Sequence, residues 1–262
     1  RVLVESQLVI SPEGKVSIDF EDLEAKMREG GLKIMTICNP HNPSGRVWTR
    51  EELSRIAKLT EKYGIFVISD EIHADFVAKE KGHVPYYSVS EAAAKNSMSC
   101  YSANKGFNLG GFQTSTLVIA DEEKKAMFDN EIGIAQTRLD NIFGAIATEV
   151  AYQDPECEAW IDDDIEYVEG NKEYMYEFFK EELPQIKAVP SEGTYLVWVD
   201  CSGLGFKTGK ELEDFFLNKA KVEPCMGYEF GKAGELFVRM NLACPRTILE
   251  KALNRIKEAA LC

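Results

Sequence analysis

Three short segments, in this order along the chain, carry side chains whose types suit one chemistry: Asn39-Pro-His-Asn-Pro-Ser-Gly45, Ser69-Asp-Glu-Ile-His73 and Ser102-Ala-Asn-Lys105. A lysine amine can condense with an aldehyde and hold it as an imine, and it is the better nucleophile when desolvated or flanked by a cation. Lys105 is the candidate. A carboxylate facing the nitrogen of a pyridine-type ring keeps that ring protonated, so that electrons left at a substrate Cα drain into it; Asp70, at the end of an apolar run, is placed for this. An amide can donate to an oxygen anion on the same ring, and Asn42 sits in a turn stiffened by two prolines. The Ser102 hydroxyl, shortly before the lysine, suits a phosphate oxygen. Taken singly, an Asn-Pro pair is often only a turn, Ser-Asp-Glu only a helix cap and a lysine only a solvated charge. Their combination in this order is what points to a site.

Each segment follows a short apolar run, at Lys33–Cys38, Ile65–Ile68 and Asn96–Tyr101. Strands of mostly parallel sheets read this way, and ligands gather just beyond their carboxyl ends. The chain between Asn42, Asp70 and Lys105 is long enough each time for a crossover helix and a return strand. One such helix is readable at Thr49–Tyr63, with Leu53, Ile56, Ala57 and Leu59 or Thr60 on one face. Thr49 and Glu52 form a capping box, and Gly64 closes the helix. Strands and helices alternate to about residue 120, and residues 121–182 read as long helices. Gly110-Gly111 marks a turn where the backbone is expected to approach another group closely. The last stretch predicts strands at Gly193–Val199 and Leu236–Met240 and helices at Lys210–Ala220 and Arg246–Ala260, with Tyr195 and Trp198 as packing aromatics. The expected fold class is α/β, with residues 1–150 as part of a large domain built on a mostly parallel sheet and residues 151–262 as a smaller α+β domain.

A chain of 262 residues, 45% of them hydrophobic, can bury a substantial core. Its net charge of −14 argues against a nucleic-acid partner, because neutralising phosphates requires clustered Lys and Arg. The densest acidic run, Glu156 to Glu169, reads as a solvated helix face. No apolar stretch approaches the roughly 20 residues of a membrane span, and no signal peptide is visible. Seven scattered cysteines without a Cys-x-x-Cys pair read as reduced thiols of a cytoplasmic protein. Cys38 and Cys244 fall near the proposed site, but apolar surroundings are the ordinary place for a free cysteine. His41, His73 and His83 lack metal-ligand spacing, so no metal is expected.

The segments Cys38-Asn-Pro-His-Asn-Pro-Ser-Gly-Arg-Val-Trp48, Ser69-Asp-Glu-Ile-His-Ala-Asp75, Ser191-Glu-Gly-Thr-Tyr-Leu196 and Phe237-Val-Arg-Met-Asn-Leu-Ala-Cys-Pro-Arg246 carry a family resemblance that runs essentially from end to end. The chain resembles fold-type-I pyridoxal-phosphate enzymes of the class I/II aminotransferase superfamily, and within it the C-S lyase branch that includes cystathionine β-lyases. The resemblance implies pyridoxal 5'-phosphate as cofactor, held by Asn42, Asp70, His73, Ser102 and Lys105, with Lys105 and Asp70 catalytic and Arg239 binding the substrate α-carboxylate. An arginine fork suits a carboxylate through two parallel hydrogen bonds; the alternative readings are a structural ion pair for Arg239 and a helix-facing polar residue for His73. Two positions favour lyase over aminotransferase: Gln113 stands where many aminotransferases carry a phosphate-binding arginine, and His73 where they often carry tyrosine. Asn104 departs from the serine usual in the family.

The implied reaction is β-elimination from cystathionine or another cysteine S-conjugate to a thiol, pyruvate and ammonia, by an enzyme that forms a homodimer. An aminotransferase using the same lysine and a non-catalytic subunit that kept the fold are the alternatives. The chain opens on Arg1-Val-Leu-Val-Glu5 without a Met, as if already inside a strand. By the resemblance, an N-terminal segment that supplies an aromatic ring against the cofactor, a helix N-terminus for its phosphate and a tyrosine reaching across the dimer is expected to be absent.

Overall fold

A computed structural model describes residues 3–137 and 141–261. It opens on a two-stranded ribbon of β1 (Leu8–Ile10) and β2 (Val16–Ile18), followed by α1 (Phe20–Glu29), whose N-cap Asp19 accepts from the amides of Glu21 and Asp22. Then come β3 (Ile34–Cys38), α2 (Arg50–Tyr63), β4 (Phe66–Asp70), α3 (Glu91–Lys95), β5 (Ser97–Tyr101), α4 (Ala103–Gly106), β6 (Thr116–Val118), α5 (Glu122–Ala135), α6 (Ile142–Gln153) and α7 (Pro155–Glu182). The chain separates into two compact units. One holds the residues up to Val9 with Ser17–His41 and Arg46–Asp162, and the other holds Ile10–Val16, Asn42–Gly45 and the chain from Asp163 onward. The changeover thus falls inside α7, somewhat beyond the 150/151 boundary expected from sequence, and the Asn42–Gly45 turn groups with the later unit.

In the first unit β3, β4 and β5 pair in parallel and β6 joins β5 antiparallel, in the order β3-β4-β5-β6. Cys38 stands opposite Asp70 and Asp70 opposite Cys100, so the apolar runs deliver their last residues side by side. Helix α2 forms as expected. Thr49 Oγ1 accepts from the Glu52 amide, Glu52 returns a carboxylate to the Thr49 amide at 2.8 Å, and Gly64 takes the left-handed conformation at φ +64°. Leu53, Ile56, Ala57, Leu59 and Thr60 are all buried, so both alternatives at positions 59 and 60 face inward.

The long helical stretch resolves into α5, α6 and α7. No residue of α5 is buried, and Ile142 and Phe143 at the start of α6 are 72% and 74% exposed. Gly110 and Gly111 lie in a 3₁₀ turn, and a Cβ on either would meet nothing within 4 Å. The expected close approach is therefore not found among the described residues. No helix among the described residues is long and apolar enough to cross a membrane.

The second unit carries an antiparallel sheet of β7 (Lys187–Ala188), β8 (Leu196–Asp200), β9 (Cys225–Met226) and β10 (Phe237–Asn241) in the order β7-β8-β10-β9, with α8 (Gly209–Asp214) and α9 (Arg246–Leu261). Its core gathers Leu196–Val199, Val238 and Leu242 with Leu249, Leu253 and Ile256 of α9. Trp198 stacks on Phe237 at 5.2 Å between ring centroids, the packing role expected of it. The helix predicted at Lys210–Ala220 is α8 followed by a π-helical turn over Phe215–Ala220, which turns Phe215, Phe216 and Ala220 inward together.

Two substitutions test this construction by denaturant unfolding. Thr49→Ala should lower the unfolding free energy by about 1 kcal/mol through loss of the cap. Leu53→Ala, at a fully buried site, should cost about 2–5 kcal/mol. Equal effects of the two would contradict the packing described for α2.

Candidate active site

Asp70 is the last residue of β4, and the parallel ladder runs on past it: the Asn39 amide donates to the Asp70 carbonyl and the Glu71 amide to the Cys100 carbonyl, both at 2.9 Å. Asp70 Oδ1 accepts from the Ile72 amide at 3.2 Å, an Asx-type turn that bends the chain away from the strand. One residue beyond β5, Ser102 caps α4. Its Oγ accepts from the Asn104 amide at 3.2 Å and donates to the Thr114 carbonyl at 2.6 Å.

Lys105 follows within this four-residue helix. Only Ala103 and Gly106 of α4 turn inward, so Lys105 is exposed, without the desolvation that the sequence reading associates with an activated amine. Gly106 is held against Asp75, whose Cβ would lie 2.9 Å from any Cβ built there. Burial pushes the Asp75 carboxyl up, against a hydrogen bond of 2.8 Å from the Tyr152 hydroxyl. His73 is buried, but in the turn after β4 and not on a helix. Gln113 closes the 3₁₀ turn in the left-handed conformation at φ +53°, just before Thr114.

The first unit thus brings Asp70, Ser102 and Lys105 to the carboxyl ends of adjacent strands. In the same unit Asn39, which the sequence reading does not single out, is fully buried and uses both ends of its amide: Nδ2 donates to the Val84 carbonyl at 3.1 Å and Oδ1 accepts from the Trp48 amide at 3.0 Å. Trp48 Nε1 donates back to the Cys38 carbonyl at 2.8 Å. Arg46 lies over the Trp48 ring and reaches both oxygens of Glu52 at 3.0 and 2.9 Å, so the turn is tied to the cap of α2.

Asn42 and Arg239 lie in the other unit, where 197 residues of sequence separation close to one hydrogen bond of 2.8 Å from Arg239 Nη1 to Asn42 Oδ1. Arg239 stands on β10 opposite Trp198 and Cys225. Its Nη2 donates to Cys225 Sγ at 3.1 Å, its guanidinium lies 4.8 Å from the Phe230 ring centroid, and its Nε is buried with no partner among the described residues. With Asn42 Oδ1 committed as an acceptor, the amide's N–H groups are the part left to donate. Gly45, at φ +70°, is required because any Cβ there would collide with Ser191. Its carbonyl accepts from the amides of Glu192 and Gly193 at 2.8 and 2.9 Å. Thr194 holds a left-handed φ of +67°, rare for a β-branched residue, with Oγ1 accepting from the Leu196 amide at 3.0 Å. These contacts account for the Ser191–Leu196 motif.

Sequence reasoning also passes over Glu71. This carboxylate is completely buried and accepts from Ser99 Oγ at 2.8 Å and the Tyr86 amide at 3.2 Å on one oxygen, and from the Tyr101 hydroxyl at 2.7 Å on the other, which also lies 2.6 Å from His83 Nε2. The alternation of Ser97, Ser99 and Tyr101 along an otherwise apolar strand is the signal that could have found it, since buried hydroxyls at period two need an acceptor.

The parallel strands crossed by helices, with the candidate residues at their carboxyl ends, define the fold-type-I pyridoxal-phosphate-dependent transferase fold. Within that class the chain belongs to the aminotransferase class I and II family, whose model matches residues 6–256. It is 37% identical over 251 residues to cystathionine β-lyase PatB of Bacillus subtilis, covering 96% of this chain and 64% of that protein. Among solved structures, cystalysin from Treponema denticola, which contains a pyridoxal 5'-phosphate cofactor, superposes with a TM-score of 0.91 at 32% identity over 98% of this chain and 64% of that one. The pyridoxal-phosphate-bound C-S lyase from Staphylococcus hominis gives 0.89 at 29% identity, over 98% and 66%. The chain therefore spans just under two thirds of the length of these proteins.

Glu71 sets a pH dependence. Burial pushes its carboxyl up, but the hydrogen bonds from His83, Tyr101 and Ser99 together outweigh this and hold it below the usual carboxylate range. A carboxyl lowered in the folded state adds stability above its unfolded value and loses it as pH falls through the folded one. Unfolding free energy should therefore drop on acidification below about pH 5, and Glu71→Gln should be less stable at pH 7 with a shallower acid limb. An acid limb of unchanged slope in the variant would show that Glu71 is not the source.

Proposed function

We propose that this chain carries the cofactor and substrate residues of a pyridoxal-phosphate-dependent C-S β-lyase that cleaves cystathionine or another cysteine S-conjugate to a thiol, pyruvate and ammonia. The observation that carries the reading is the hydrogen bond between Arg239 and Asn42. It leaves the Asn42 N–H groups to face an oxygen anion and the buried Arg239 Nε to face a carboxylate, the groups that a pyridoxal ring and an amino-acid substrate present. The residues fit the cofactor. Pyridoxal phosphate, when bound, supplies an aldehyde for an amine and a ring that accepts the electron pair left at the substrate Cα.

Asp70 holds a proton on the ring nitrogen, which a carboxylate fixed at a strand end can do without reorganising. Asn42 donates to the ring oxygen. Ser102 serves the phosphate by exchanging its present hydrogen bond to the Thr114 carbonyl. Arg239 receives the substrate α-carboxylate by charged hydrogen bonds, each contributing about 1.5–3 kcal/mol. Lys105 would hold the cofactor aldehyde through its amine and would take the proton from the substrate Cα, and its exposure leaves the amine accessible for both tasks. The β-thiolate then departs, and the released aminoacrylate hydrolyses to pyruvate and ammonia. The likeness to C-S lyases, with Gln113 and His73 where aminotransferases commonly differ, favours elimination over amino transfer. We read residues 1–150 as part of a large cofactor-binding domain and residues 151–262 as a small domain. A homodimer is supported by the outward-facing apolar residues of α6, and a cytoplasmic location by the free thiols among the described residues.

Product analysis with L-cystathionine tests the reading: pyruvate and ammonia are expected. A keto acid formed by amino transfer would make the protein an aminotransferase, and failure to form any borohydride-reducible adduct with pyridoxal phosphate would favour a non-catalytic role. Lys105→Ala should abolish the visible cofactor band while the circular dichroism is kept; full activity in this variant would overturn the mechanism. Arg239→Ala should raise KM at least about tenfold for substrates with a free α-carboxylate, and an unchanged KM would show that the carboxylate is held elsewhere.

A further inference from the structure

Successive residues leaving a strand face opposite sides of the sheet. Asp70 shares its face with Cys38 and Cys100, and Glu71 falls on the other side with Ser99 and Tyr101. The pair therefore straddles the sheet. Among the described residues the Asp70 carboxylate accepts from the backbone donor at Ile72 alone, at 3.2 Å, so its direction depends on how firmly the turn over residues 70–72 is fixed. Glu71 fixes it twice, through its amide on the Cys100 carbonyl and through its fully buried carboxylate on Ser99 and Tyr101. The same carboxylate takes the Tyr86 amide and approaches His83 Nε2, both on the segment after the turn. Next to His83, the Val84 carbonyl accepts from Asn39, whose own amide donates to the Asp70 carbonyl. The network thus reaches Asp70 from both sides. On β5, Tyr101 directly precedes Ser102 and the helix that bears Lys105.

Taking a carboxylate out of water is costly, and well-packed apolar side chains of similar volume are often the more stable choice. A role beyond stability would account for a buried acid here. We propose that Glu71 is a positioning residue: its buried carboxylate clamps the turn after β4 to β5 and thereby aims the Asp70 carboxylate. The proposal rests on the reading of Asp70 as partner of the cofactor ring nitrogen. Glutamine keeps the size of Glu71, but its amide nitrogen presents hydrogens to groups that already donate, so it cannot accept from all four partners.

The test is the ring-nitrogen resonance of ¹⁵N-labelled pyridoxal phosphate bound to the protein, followed against pH, alongside thermal unfolding. Glu71→Gln and Tyr101→Phe should each lower the proton affinity of the ring nitrogen by about tenfold, one pH unit. Ser97→Ala serves as control, since it deletes a buried hydroxyl that among the described residues donates to the Ala93 carbonyl, at 2.7 Å, and does not touch Glu71. It should lower the unfolding temperature and leave the nitrogen titration in place. If Glu71→Gln and Tyr101→Phe behave like this control, Glu71 is merely structural and the proposal falls. Should Glu71→Gln not fold, Tyr101→Phe decides alone. A wild-type protein with no bound ring-nitrogen signal would overturn the cofactor reading and this inference together, whereas a normal wild-type signal with unshifted variants overturns this inference only.

Discussion

The placement of Asp70 and Ser102 depends on the parallel ladder of β3, β4 and β5 continuing one residue past its strands. A strand that simply ended at Asp70 would leave the following backbone groups to find partners in a crowded interior, where an unmade hydrogen bond costs more than a made one gains. Here the Asn39 amide and the Glu71 amide take the next two carbonyls across the sheet. The turns leaving β3 and β4 consequently begin from fixed points, and side chains that approach a ligand from separate parts of the sequence are carried by one lattice of backbone hydrogen bonds.

The turn after β3 shows how densely such positions are secured. Asn39 engages both ends of its amide, Trp48 ties its indole to the end of β3, and Arg46 grips Glu52, which at the same time closes the N-terminus of α2. One glutamate therefore serves the helix cap and the turn together. Arg46 Nη2 reaches both carboxylate oxygens of Glu52, and with Arg46 nearly buried this charge-assisted pair is little screened by solvent. The second unit uses sterics for the same end: Gly45 yields space to Ser191, Thr194 is held in a strained backbone conformation, and Arg239 is restrained by an amide, a thiol and an aromatic ring.

Much of this was legible in the sequence because it depends on near neighbours. Apolar runs of strand length marked β3, β4 and β5, and a 3.6-residue period with Thr49, Glu52 and Gly64 marked α2 with its two ends. The residue types at positions 42, 70, 102, 105 and 239 suffice to suggest an amine, an acid, an amide, a hydroxyl and a guanidinium serving one chemistry. Where the local signal was mixed, the reading slipped. Gly110-Gly111 proved to be a turn with open space around it, and the helix expected through Ala220 gave way to a π-helical turn because Phe215 and Phe216 are both drawn into the core.

By itself, then, the sequence determined most of the element types, the capping of α2 and which residue types could serve as candidates for the site, since backbone propensity and hydrophobic period act over a few residues. Tertiary structure alone decided that Asn42 pairs with Arg239, that Lys105 is exposed while its neighbours Ala103 and Gly106 are buried, and that Glu71 gathers partners from two separate segments, His83–Tyr86 and Ser99–Tyr101. A hydrogen bond forms wherever packing brings donor and acceptor within about 3 Å, and no pattern of nearby residues encodes which distant group will arrive there.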